Sequence, residues 1–112
     1  MPDVSPSPAT QVTRVALTAP QIIAHLAKLE GWKLHGDGDA VAIEKRFAFK
    51  NYLRTVAFVN AVAYLAEQQN HHPAMVVEFA QCSVRFNTHD VNGISITDFE
   101  CARLVDALYK PR

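Results

Sequence analysis

The chain has too little cysteine to be built around it. Cys82 and Cys101 stand 19 residues apart with no second pair. That is neither a disulfide framework nor the spacing of a structural zinc site, and it fits a reducing compartment. Charge of one sign is lacking as well: Lys+Arg 11 balances Asp+Glu 11. Without a surplus of Lys and Arg there is no electrostatic basis for strong nucleic-acid binding, which rests on phosphate neutralisation. Long hydrophobic runs are missing too. The longest nearly uncharged apolar run, Val56 to Ala66, is too short to span a bilayer and contains Asn60. The beginning of the chain has no basic stretch leading into an apolar one, so no signal peptide is expected. A cytoplasmic protein is the reading that remains.

What is present suits one soluble domain. Apolar residues make up 49% of the 112 positions and charged residues 20%, an ordinary globular balance. By size scaling such a chain buries roughly two-thirds of its unfolded surface, enough for a single core. Residues 1–16 hold Pro2, Pro6 and Pro8 among Ser and Thr. They read as a disordered or loosely packed leader to a domain spanning 17–112.

Thr18 with Gln21 three positions on is a capping box, and Pro20 is tolerated in a first helical turn. Ile22, Ile23, Leu26 and Leu29 follow at helical spacing, and Gly31 stops the helix. Trp32 to His35 reads as a short strand ending in the turn cluster Gly36 to Asp39. Val41, Ile43, Phe47 and Phe49 alternate as a half-buried strand, interrupted on its apolar face by Lys45. Asn51 caps a long helix from Tyr52 to about Gln68, which Asn70 is placed to close; Leu53, Val56, Phe58, Val59, Val62, Tyr64 and Leu65 give it an apolar surface wider than an exposed helix needs, so it is expected to be the central helix. Met75 to Phe79 and Cys82 to Thr88 are two further strands. In the second, Cys82, Val84 and Phe86 share one face, and Ser83, Arg85 and Asn87 share the other. After the Asn92-Gly93 turn, Ser95 with Asp98 opens a last helix carrying Phe99, Ala102, Val105 and Leu108. The order α-β-β-α-β-β-α implies an α+β fold: a four-stranded antiparallel sheet with helices packed on one face. Such a sheet leaves its edges and other face open, with Ala42 and Ala48 on the open side. A homo-oligomer is therefore expected, a dimer or a tetramer.

The chemistry concentrates at one end of the second hairpin. If Ala80-Gln81 is its tip, opposed residues have numbers summing to 161, and His72 lies opposite His89. Ala-Gln is a poor two-residue turn, so the register is free to slip. Any tight hairpin still leaves His71, His72 and His89 at the same open end. Clustered imidazoles serve general acid–base catalysis near neutrality, or ligate a metal, or are simply satisfied structural groups. Adjacent residues in extended backbone point to opposite sides, which makes a shared metal awkward for His71 and His72. His25, inside the first helix, and His35, beside a turn, carry little functional weight.

The stretch Glu67-Gln68-Gln69-Asn70-His71-His72-Pro73, an aromatic at Phe79, Thr88-His89, and Gly93 to Asp98 resemble the signature of the pterin-4a-carbinolamine dehydratase family. Gly31-Trp32 and Phe47-Ala48-Phe49 are similar to its first half. The resemblance implies a lyase that removes water from 4a-hydroxytetrahydropterin to give quinonoid dihydropterin. No metal or separate cofactor is implied, since the pterin is the substrate. It also implies a functional link to an aromatic amino-acid hydroxylase in tetrahydrobiopterin recycling. By matching position, His71 and His89 would be the acid–base pair and His72 chiefly a binding group. Glu67, Pro73, Thr88, Asp90 and Asp98 would complete the substrate site. Asp98 is equally a plain helix cap, and Glu67 equally a solvated helix-end carboxylate. The chain departs from the family at Ala74 and Met75, where an acidic residue and an aromatic are usual, and at Phe79, where Tyr is common. Some family members also act as binding proteins, one as a transcriptional dimerisation cofactor, and others resemble assembly factors for a carbon-fixing enzyme, so the resemblance allows such a role beside catalysis or instead of it.

Overall fold

A computed structural model describes residues 15–109. The leader expected at 1–16 lies outside these residues except for its last two. From there the order is helix α1 (Ala19–Leu26), strands β1 (Lys33–His35) and β2 (Ala42–Ala48), helix α2 (Tyr52–Gln69), strands β3 (Ala74–Glu78) and β4 (Gln81–Phe86), and helix α3 (Ile96–Tyr109). The strands form one antiparallel sheet in the order β1-β2-β4-β3. The α+β order read from the sequence is the one observed.

Local chemistry starts the helices as the sequence indicated. The Thr18 hydroxyl accepts from the Gln21 N–H, and the Gln21 side chain accepts from the Thr18 N–H, closing the capping box. The stop comes earlier than expected: α1 ends at Leu26 with Ala27 as its cap, Leu29 lies in the turns that follow, and Gly31, at φ 89°, takes the left-handed conformation at their end. The Asn51 side chain accepts from the Arg54 N–H and starts α2.

The core lies between sheet and helices. Ile43 and Phe47 of β2 and Cys82, Val84 and Phe86 of β4 are buried, facing Phe58 and Val62 of α2 and Phe99, Ala102 and Val105 of α3. Phe47, Phe58 and Tyr109 pack ring to ring at 4.9–6.0 Å. Lys45 keeps to the apolar side of β2 despite its charge. Its ammonium donates to Asp106 Oδ1 at 2.8 Å and to the Glu30 carbonyl at 3.1 Å, and lies over the Phe47 ring. The same Asp106 carboxylate accepts from the indole N–H of Trp32, a residue only 4% exposed. A charge on a core face is tolerated because it arrives with its counter-charge.

Two expectations need correction. The paired numbers of β3 and β4 sum to 159, as in Met75 with Val84, so the hairpin tip is Phe79-Ala80 and not Ala80-Gln81. The reason is tertiary. The Phe79 carbonyl accepts from the buried Thr55 hydroxyl of α2, and the Ala80 carbonyl from the Phe49 N–H, which hold the tip from both sides. The slip of two residues preserves which side chains face the core. It also sets Asn87, not His89, in line with His72. The second correction concerns α2, whose apolar surface is only partly core. Thr55, Phe58, Val62 and Ala66 are buried, whereas Leu53 and Tyr64 are exposed.

Candidate active site

The site begins where α2 ends. Asn70 adopts the left-handed conformation at φ 52°. Its N–H bonds to the Glu67 carbonyl, and that of His71 returns to the Ala66 carbonyl, the paired closure of a Schellman motif. The reversal turns His71 inward, 5% exposed, and leaves His72 outside, 57% exposed. The expected opposition of these neighbours is what the backbone enforces.

His71 enters a buried polar socket. Its Nε2 lies 2.6 Å from Asp98 Oδ1, and its ring stacks on Phe86 at 5.8 Å between centroids. Asp98 is fully buried in the first turn of α3. Its other oxygen accepts from the Thr88 hydroxyl at 2.8 Å and from the Ser95 N–H at 2.9 Å. The Thr88 hydroxyl is in turn 2.6 Å from that of Ser95. Asp98 is therefore helix cap and imidazole partner at once. A carboxylate accepting these bonds requires Nε2 of His71 to carry a proton, which in neutral imidazole leaves Nδ1 as the basic nitrogen.

His89 reaches the same place by another route. Thr88 and Gly93 pair through their backbones, and Asn92, at φ 51°, closes the loop between them. That loop holds a single turn of 3-10 helix, His89–Val91, which presents His89 and Asp90 to solvent. His72, through Nε2, pairs with Glu67 Oε2 at 2.7 Å, both side chains being largely exposed.

The three imidazoles open on one cleft of about 340 Å³, lined by Asn70, His71, His72, Asn87, His89 and Asp90. Of the other residues expected at the site, Glu67 reaches it through His72, and Asp98 stands behind His71. Thr88 is buried in the Asp98 network, while Pro73 is a half-buried link from His72 to β3. Asn87 was not foreseen as a site residue; the correct hairpin register would have found it. Cys82 and Cys101 are both buried in the core, as expected, and burial pushes the Cys82 thiol above its usual range. Among the described residues, no group of three or more His, Cys, Asp or Glu is disposed to hold a metal ion. No helix among them is long and apolar enough to cross a membrane.

A one-sided sheet-and-helix layer that gathers an Asp-held imidazole and two exposed ones in a small cleft defines a domain suited to proton transfer on a small ligand. The chain belongs to the pterin 4 alpha carbinolamine dehydratase family, whose profile matches residues 15–108. It is 57% identical over 95 residues to a Paracidovorax citrulli protein named "Putative pterin-4-alpha-carbinolamine dehydratase", covering 85% of this chain and 82% of that one. A protein of the same name from Bdellovibrio bacteriovorus is 46% identical, with 83% and 78% covered. Among solved structures, a transcriptional coactivator/pterin dehydratase from Brucella Melitensis superposes with a TM-score of 0.79 at 28% identity, covering 86% of this chain and all of that one. A pterin dehydratase-like protein identified as a RuBisCO assembly factor in the alpha-carboxysome matches with a TM-score of 0.61 at 27% identity, over 74% and 94% of the two chains.

Proposed function

We propose that the protein is a 4a-hydroxytetrahydropterin dehydratase, a hydro-lyase working by histidine general acid–base catalysis in the recycling of a tetrahydropterin. One observation carries this reading: an Asp98-held His71 shares its cleft with His89 and His72. The reaction needs one group to give a proton and another to take one. The C4a–O bond breaks as the hydroxyl gains a proton and leaves as water. The N5–H proton passes to a base, and its bond pair forms the C4a=N5 double bond. His71, with Nδ1 left basic, and His89 form the acid–base pair. His72, steadied by Glu67, contributes chiefly to binding, together with Asp90. Electrons balance within the pterin, so the step requires neither a metal nor a redox cofactor.

The test is the decay of the 4a-hydroxypterin absorbance generated by a phenylalanine hydroxylase, the class of enzyme that would supply this substrate. Purified protein should accelerate that decay. A rate no better than buffer at stoichiometric protein refutes the catalytic reading.

A binding or assembly role is the second reading. It is supported by the coactivator and assembly-factor relatives and by exposed Leu53, Tyr64 and Phe79. It predicts a protein complex that survives alanine substitution at His71 and His89. The same exposed residues and the open β1 and β3 edges favour a homo-oligomer in solution, and a cytoplasmic setting fits two buried thiols.

A further inference from the structure

A second cavity lies on the open face of the sheet, about 240 Å³ in volume. Asn87 lines both this cavity and the histidine cleft, and Ala74, in its wall, follows His72 by two residues. The two spaces are therefore neighbours along the end of the β3–β4 hairpin. Ala42 and Ala74 leave room that larger side chains would fill. Gly36 and Ala40 of the β1–β2 turn line that room, and Ala42 is buried. The turn is tight at Gly36, at φ 75°, where a Cβ would fall 2.7 Å from the Ala40 carbonyl oxygen.

The lining contains Arg85 and His35 and no acidic residue. Both are oriented by one carboxylate outside the lining: Glu44 accepts from Arg85 Nε at 2.6 Å and lies 3.3 Å from His35 Nδ1. That arrangement occupies one of the five N–H donors of the guanidinium. On the other side, the residue directly opposite Arg85 in the ladder is Ala74, which offers no carboxylate. Lys33 stands opposite Glu44, so the row Lys33, Glu44, Arg85 carries a net positive charge.

We propose that this cavity is a subsite for an anionic substituent, a carboxylate or phosphate, on the ligand whose ring occupies the histidine cleft. Arg85 is its main recognition group, with the Asn87 amide beside it, and His35 forms the wall. The proposal rests on the pterin reading above and adds the substrate class: an acidic side chain on the pterin ring. A guanidinium meeting a carboxylate with its remaining donors makes the stronger, charge-assisted kind of hydrogen bond.

Fluorescence titration with pterin-6-carboxylate and with 6-methylpterin tests this. The wild-type protein should bind the carboxylate roughly tenfold more tightly, the scale of one charge-assisted contact. Arg85→Gln should bring that preference to about twofold or less while the affinity for 6-methylpterin holds. Ala74→Glu places a competing carboxylate opposite Arg85 at an exposed edge position and should do the same. Circular dichroism confirms that both variants are folded. Equal affinities in the wild type, or a preference that survives both substitutions, overturns the subsite alone. A folded protein that binds neither compound overturns the pterin reading and the subsite with it.

Discussion

Asp98→Asn separates the two duties of the buried carboxylate. As a cap, Asp98 accepts the Ser95 N–H and the Thr88 hydroxyl through Oδ2; as a positioning residue, it faces His71 Nε2 through Oδ1. An asparagine keeps one acceptor oxygen. With two donors to satisfy on the Oδ2 side, that oxygen stays there and the amide nitrogen turns toward His71. The imidazole must then accept at Nε2 and carry its proton on Nδ1, which removes the basic nitrogen. Turnover should fall about 10²-fold or more, the scale of lost general acid–base catalysis. Stability should drop far less, because the cap survives. Asp98→Ala is the contrasting case: the buried donors of His71, Thr88 and Ser95 all lose their acceptor. At roughly 1–3 kcal/mol for each unsatisfied group, that takes a large share of a stability of about 5–15 kcal/mol. The assays are kcat by the coupled reaction, urea unfolding, and the nitrogen chemical shifts of His71, which report its tautomer. A folded Asp98→Asn protein with kcat within about threefold of wild type would refute the reasoning and leave Asp98 a cap only.

Other outcomes follow from the same geometry. His71→Ala and His89→Ala should each cost about 10²-fold in turnover, whereas His72→Ala, at an exposed pair, should appear mainly in KM. His25→Gln, outside the cleft, is the control and should match wild type. Asp106→Ala strips the buried Trp32 indole of its acceptor and should cost about 1–3 kcal/mol, read as a Tm lowered by roughly 4–8 °C per kcal/mol. Sedimentation equilibrium over a concentration series should show a dimer or larger; a single 12.4 kDa species at micromolar protein would refute assembly.

Local signals carried much of the fold. Thr18 with Gln21, Asn51, and the alternation from Cys82 to Phe86 are short-range patterns, each with its own physical cause, and each stands where it was read. The hairpin tip was not legible because its turn is held by Thr55 and Phe49, remote in sequence. Lys45 read as a break in a strand because its partner, Asp106, lies 61 residues away. At the site, residue types were plain but roles were not. Asp98 looked like either a cap or a functional acid because it has one oxygen for each duty. Glu67 read equally as a site residue and as a solvated helix-end carboxylate, and the backbone reversal at Asn70 sets it against His72.

That reversal has a consequence for how the protein tolerates change. Two chemically identical rings stand side by side, and only the phase of the chain leaving α2 determines which one becomes internal. One residue inserted after Asn70 would carry His71 away and bring a different side chain to the mouth of the Asp98 socket. One residue deleted there would present His72 instead, so histidine would fill the socket but lose its exposed neighbour. Substitutions around the cleft change affinities by degrees; a shift in length at this joint changes the parts themselves. Variation should therefore accumulate in exposed side chains near the joint, such as Gln68, long before it touches the count of residues between Ala66 and Ala74.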